Sequence, residues 1–407
     1  MSKNIVICCD GTGDRIESTQ TNVLKLFRVL EKDRGQLVRY SPGVGTVGDF
    51  DTWQRLKSDV TEFLGVVAGY GLDEKVLAAY RFLCTQYEEG DAIWLFGFSR
   101  GAYEVRVLAA FIYVIGLLPA AQLNLAGYAF TAYKKASRDS HRSRRVADRA
   151  ALRAAAPEAE VATGLPAAWA FGRVAGGRRV TIRFIGVWDT VSSVIVPRRD
   201  RLLPDFQTLR FTRTDPGVEM FRQAISIDER RRMFRLLPWC EPQRFKPGRC
   251  GDGGWTAQDI RQVWFAGVHG DIGGGYPEPQ SGLSKYPLLW MIGQARAAGL
   301  RMDAALIDEL ARGEGRAGGR LVYAAPSPEA KLHNSLKGFW WVLEIIPKRV
   351  KWREWPGRPA FLGVYLPLGE PRLIPADGLI HRSVAERMAC VPAYRPENLP
   401  AKPNWTD

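Results

Sequence analysis

Histidine is scarce: the 407 residues hold four, at 141, 269, 333 and 381. Any chemistry that needs an imidazole base must draw on one of these. Cysteine is sparse as well, six in all and with no CxxC spacing, which excludes a disulfide scaffold and a Cys-rich zinc site. Cys8 and Cys9 are adjacent in an expected strand, so their side chains face opposite ways and do not bridge. No apolar run reaches the ~18 residues of a spanning helix; the longest, Val107 to Leu118, fits a buried helix. The opening MSKNIVICCDGTG has one lysine and too short an apolar stretch for a secretory leader, so a cytoplasmic chain without a transmembrane helix is expected. Internal repeats and long low-complexity runs are absent. Nothing in these residues calls for a metal or an organic cofactor.

Acidic residues are outnumbered. Fifty-seven Lys and Arg stand against 43 Asp and Glu, a net charge of +14, which excludes an acidic surface. Phospholipid headgroups, nucleic acid or acidic substrates are the partners such a charge attracts. A basic proteome would give the same balance. Hydrophobic residues make up 46% and aromatics 11%, enough for a large core.

The first half alternates strand and helix signals. NIVICC (4–9) is a short apolar run that breaks at Asp10-Gly11-Thr12-Gly13, a buried strand feeding a tight loop. Residues 21–30 and 72–87 have helical spacing, 36–40 and 91–98 read as strands, and a helix is expected over 100–118. Strands alternating with helices imply an α/β fold with a mostly parallel sheet. One domain is expected over 1–407, with a basic helical cap inserted over 120–178. Between Lys134 and Arg153 that insertion carries eight Lys or Arg and two Asp. Further strands are expected over 180–187 and 262–268. The C-terminal part, 320–407, holds a glycine-poor aromatic and basic stretch, GFWWVLEIIPKRVKWREW (338–355), expected to pack on the core.

Gly97-Phe98-Ser99-Arg100-Gly101 is a GxSxG motif. The pattern alone is weak; an apolar strand before it and a small-residue helix after it supply the setting of a nucleophile elbow. The flanking glycines leave room for the sharp turn. The amide of Arg100 becomes one oxyanion donor at a positive helix end. The base is expected to be His269, which follows an apolar strand and opens the glycine-rich loop HGDIGGGY; His381, near the start of a C-terminal helix, competes, and His333 is expected to pack or cap locally. The orienting acid is expected to be Asp189, at the end of the strand VTIRFIGV. Asp228 and Asp271 are alternatives, the first a partner for Arg230 to Arg232, the second a shaper of the glycine loop. The chain order Ser99, Asp189, His269 is that of α/β-hydrolases. An amide of Gly11 or Thr12 is expected to be the second oxyanion donor, with Asp10 holding that loop. Phosphate binding there is the rival, but no GKS or GKT follows.

Taken together, the motifs resemble the class-one type VI secretion lipase effectors and their relatives in bacteria and fungi. The resemblance lies in Asp10-Gly11-Thr12, Thr21-Asn22-Val23, the Tyr40 to Thr46 segment YSPGVGT, Gly97 to Ala102, and GVWDTV from Gly186. It continues in Asp228 to Arg231, Trp264 to Tyr276, His381 to Val384 and Arg395 to Pro400. It implies an α/β-hydrolase fold with a helical cap, a Ser99–Asp189–His269 triad, a lipid ester substrate and leaderless export through a type VI system. Trp340, Trp341, Trp352 and Trp355, set among Lys337, Lys348, Arg349, Lys351 and Arg353, make an anionic membrane surface a candidate partner. A soluble small ester is the alternative substrate. A non-catalytic binding module is the alternative class, with nucleic acid disfavoured because the basic insertion lacks interleaved aromatics apart from Tyr133.

Overall fold

The computed structural model describes residues 2–11, 19–43, 71–144, 165–191, 195–196, 205–206, 209–246, 254–315, 322–338, 340–350 and 353–407. Thr12, Cys250, Lys351 and Trp352 lie outside them, as do much of the expected glycine-rich segments around 44–48 and 316–319 and the basic stretch beyond Arg144.

An eight-stranded sheet forms the centre. Its strands are β1 (Asn4–Cys9), β2 (Gln36–Ser41), β3 (Ala92–Phe98), β4 (Ile182–Trp188), β5 (Val218–Ser226), β6 (Asp259–Phe265), β7 (Leu379–His381) and β8 (Asn404–Thr406). They lie side by side in the order 8-7-6-5-4-3-1-2, and every pairing is parallel. Parallel strands must be covered on both faces, which is why β1 and β3 read as near-continuous apolar runs. Alternation along β1 divides them: Ile5, Ile7 and Cys9 enter one core, Val6 and Cys8 the other. The two adjacent cysteines therefore lie on opposite faces, both as free thiols.

Helices fill the crossovers. α1 (Asn22–Val29) is capped by Thr21, whose Oγ1 accepts from the Leu24 amide at 3.1 Å. It packs with α7 (Gly282–Ala297) over the face that carries Val6, Trp94 and Phe96. α2 (Leu72–Gln86), α3 (Arg100–Ile115), α4 (Ala126–Arg144) and α5 (Pro166–Val174) cover the other face. α4 and α5 belong to the inserted stretch between β3 and β4. α3 stops three residues short of the expected end because Gly116, at φ +82°, turns the chain away while its amide still donates to Ile112 O. Full burial of Trp94, Trp188, Phe96 and Phe184 contributes about 1.5–3 kcal/mol per large apolar side chain. Among the described residues no helix is long and apolar enough to cross a membrane.

The strand order reverses at β1. The chain runs from β1 outward to β2, then returns past β1 to β3. In open parallel sheets the crevice at such a reversal, beyond the carboxyl ends of the strands, is where ligands bind. Register brings those ends level: Cys9 pairs with Gly97, Phe98 with Trp188, and Ser226 with Phe265.

Candidate active site

Ser99 follows β3 at the reversal. Its backbone sits at φ 56°, ψ −116°, a strained conformation for a residue with a Cβ. The strain is held from both sides: the Ser99 amide donates to Trp188 O of β4, and its carbonyl accepts the first turn of α3 from Tyr103. The turn also needs its glycines. A Cβ on Gly97 would lie 2.5 Å from Gly101 O, and one on Gly101 would lie 2.1 Å from Cys9 O. The strand–helix crossing is closed to any larger residue.

His269 begins α6 (His269–Gly273), directly after the loop that leaves β6. Its Nε2 is 2.8 Å from Ser99 Oγ and its Nδ1 is 2.5 Å from Asp189 Oδ2. Asp189 follows β4, also at positive φ (39°), with its amide donating to Ala224 O of β5. The three side chains form one buried hydrogen-bonded series. Phe98 and Phe234 flank the imidazole with ring centroids 4.7 and 4.9 Å away. Burial lowers the tendency of His269 to take a proton, and the Asp189 carboxylate only partly offsets this, so the ring stays below its ordinary pKa.

Two charged residues that sequence reasoning did not select complete the site. Arg372, fully enclosed in the C-terminal part, forks onto Asp189, with Nη1 2.5 Å from Oδ1 and Nη2 3.1 Å from Oδ2. It also donates to the carbonyls of Ser226 and Phe234. Burial would raise the Asp189 pKa; Arg372 and His269 reverse that and hold it well below the usual carboxylate range. Glu229 accepts from the His269 amide at 3.2 Å and from Arg231 through both oxygens, and its pKa falls to about 2: burial would raise it, but Arg231 outweighs that. A buried guanidinium and a buried carboxylate look like surface residues in a sequence. Arg372 stands 183 positions from its partner and in no motif.

The remaining expected residues sort themselves around this series. Asp10 Oδ1 accepts from the Gly11 amide at 2.7 Å, while Oδ2 accepts from Thr21 Oγ1 and Tyr40 Oη at 2.5 and 2.6 Å. The Gly11 amide is thus engaged by its neighbour's carboxylate. Gly11 itself lies against the site: a Cβ there would be 3.5 Å from Ser99 Cβ. Arg100 opens α3, at its positive end. Asp271 Oδ2 accepts from the Val268 amide and Oδ1 meets His333 Nδ1 at 2.6 Å, so both residues shape the loop behind His269. Asp228 does not pair with Arg230 to Arg232 as expected; it accepts from the Gly267 amide and Tyr394 Oη. Those arginines go to Glu397, Glu229 and the pair Glu354 and Glu370. His381 caps the C-terminal helix Arg382–Cys390 by accepting from the Ser383 amide. No cluster of three or more metal-ligating side chains occurs among the described residues.

The model of a family described as the type VI secretion system phospholipase effector Tle1-like catalytic domain matches residues 3–294. An uncharacterized protein of Saccharomyces cerevisiae, YEL023C, is 35% identical over 244 residues, which are 58% of this chain and 32% of that protein. The chain thus spans about a third of the length of this curated relative. Among solved structures, an uncharacterized protein from Pseudomonas aeruginosa is 17% identical with a TM-score of 0.38, over 74% of this chain and 46% of that one. The Tle1 effector bound to the VgrG spike of the type VI secretion system is 18% identical with a TM-score of 0.31, over 70% and 53%.

Proposed function

The chain belongs to the type VI secretion Tle1-like phospholipase effector catalytic-domain family, and from that membership and the Ser99–His269–Asp189 series we propose that it hydrolyses a carboxylic ester of a lipid through an acyl-enzyme. The observation that carries the reading is the pair of hydrogen bonds on one buried imidazole, 2.8 Å to a strained serine and 2.5 Å to an aspartate.

In this mechanism His269 Nε2 takes the proton of Ser99 Oγ as the oxygen bonds to the ester carbonyl carbon. The carbonyl electrons move onto its oxygen. Amides of Arg100 and of the Gly11–Thr12 loop stabilise that oxyanion; losing one such donor typically costs about 100- to 1000-fold in turnover. The ester's C–O bond then breaks and His269 returns the proton to the leaving alcohol. A water, deprotonated by the same nitrogen, attacks the acyl carbon; its bond to Ser99 Oγ breaks, His269 returns the proton to that oxygen, and the fatty acid leaves. Asp189 fixes the tautomer with Nδ1 protonated and stabilises the imidazolium. Arg372 is a positioning residue: it holds the Asp189 carboxylate ionised and oriented without touching the substrate.

The low proton affinity of His269 supports this role, because a base must be neutral at working pH. The test is fatty-acid release from phospholipid vesicles by wild type and Ser99→Ala. Loss of release in the variant is expected. Release at the wild-type rate from Ser99→Ala would refute the serine assignment, and serine-dependent cleavage of a soluble short-chain ester alone would remove the lipid from the reading.

A further inference from the structure

We propose that the hairpin tip Phe361–Gly363, together with the exposed side chains of the short helix Trp340–Glu344, is a docking surface for bilayers containing anionic phospholipid. The inference rests on the lipid-ester reading above and names the surface on which that site would work.

Apolar exposure is concentrated here. Nine of the thirteen exposed large apolar side chains among the described residues fall between 341 and 373. Their segments adjoin, since the Leu368 amide donates to Glu344 O and the Val350 amide to Gly363 O, and apolar exposure gathered in this way marks an interaction site. Its most exposed members, Phe361 at 74% and Leu362 at 85%, sit on a tight turn between the strands Ala360–Phe361 and Val364–Tyr365. Leu362 has φ +47° and Gly363 φ +77°. Two positive φ values define a turn that favours Asn-Gly, and a leucine at the first position bears a steric cost that asparagine would lessen. Water gives no return for that choice. The hydrocarbon edge of a bilayer does, since it removes both side chains from water.

Charge complementarity selects the lipid. Among the described cations from 337 to 358, Lys337 is exposed and Lys348 and Arg349 are half-buried, while Arg353 and Arg358 donate to the carbonyls of Arg358 and Leu368. Their acidic counterparts are turned to internal use. Glu344 is buried and accepts from the amides of Arg232 and Gly369. Glu370 is buried on Tyr365 and Arg232, and Glu354 is paired with Arg232 and Arg235. Lys337, Lys348 and Arg349 therefore leave the outward charge positive, the sign that anionic headgroups attract, and the last two lie on the strand paired with Val364–Tyr365 beside the turn. The unit also adjoins the site: the Trp340 ring meets Phe234 at 5.4 Å, and Phe234 meets His269 at 4.9 Å.

The experiment is flotation of full-length Ser99→Ala protein with phosphatidylcholine vesicles, with and without phosphatidylglycerol. The inactive background makes binding readable whether or not the chain is an esterase. Changing Phe361→Ser and Leu362→Asn together should lower partitioning to both vesicles by about tenfold or more, with an unchanged thermal midpoint because asparagine suits the turn. Replacing Lys337 and Arg349 by Gln should lower binding to the phosphatidylglycerol vesicles alone, by about fivefold per charge. Partitioning unaffected by the tip changes would overturn the proposal. So would sedimentation showing that they convert a dimer to a monomer while vesicle binding persists, which would assign the tip to a second copy of the chain.

Discussion

Replacing Arg372 by Met tests how the acid of the site is held. The change keeps most of the side chain's volume and removes the fork. Asp189 is then a fully buried carboxylate left with the Ser226 amide at 3.1 Å and the imidazole at 2.5 Å. Breaking a buried ion pair on one side costs about 3–5 kcal/mol, because the remaining charge is uncompensated. The folded protein has one nearby means of offsetting that cost, a proton on His269. In the wild type the His269 pKa lies below its ordinary value, so the ring is a competent base at neutral pH. In the variant the imidazolium becomes the main counter-charge for Asp189, and the His269 pKa rises. A base must lose its proton to act, so the acid limb of kcat/KM moves to higher pH. Activity lost at pH 7 should return as the pH is raised, and on acidification the variant should lose less stability through His269 than the wild type, whose folded imidazole resists the proton. Arg372→Lys, which keeps the charge but loses the fork, should fall between the two. The assay is kcat/KM on a soluble ester against pH, with thermal unfolding over the same range. A lowered melting temperature with the acid limb unmoved would show Arg372 to be a structural tie only and would refute the reasoning.

Two further outcomes are expected. Asp189→Asn should hold the wrong imidazole tautomer, lowering kcat by about 10⁴-fold, and leave the buried Arg372 guanidinium uncompensated, lowering the melting temperature as well; a kcat loss within tenfold would point to another acid. Gly101→Ala would drive a methyl to 2.1 Å from Cys9 O, so thermal unfolding should show a destabilisation of about 3 kcal/mol or more, and a wild-type melting curve would mean that the elbow is looser than its geometry implies.

The local parts of this protein were legible without a structure. β1 and β3 announce themselves as apolar runs ended by turn residues, because strands buried on both faces admit nothing else. Ser99 is recognisable from its glycines, whose need arises within five residues of chain. Asp189 and His269 could be chosen because each follows such a strand. The central strand β5 escaped notice. Its sequence, VEMFRQAIS, carries Glu219, Arg222 and Gln223, and it reads as polar. Only the folded chain supplies their partners: Arg222 reaches Asp259 and Gln294, Gln223 reaches Arg106, and Glu219 pairs with Arg183. Arg372 and Glu229 escaped for the same reason, since a charge is tolerable inside a protein when a distant residue meets it. Hydrophobic period and turn chemistry are properties of neighbours in sequence, and they determined the sheet's first strands and the residues at their ends. The burial of charge is a property of neighbours in space, and only the tertiary structure decided which carboxylates and guanidinium groups surround the serine.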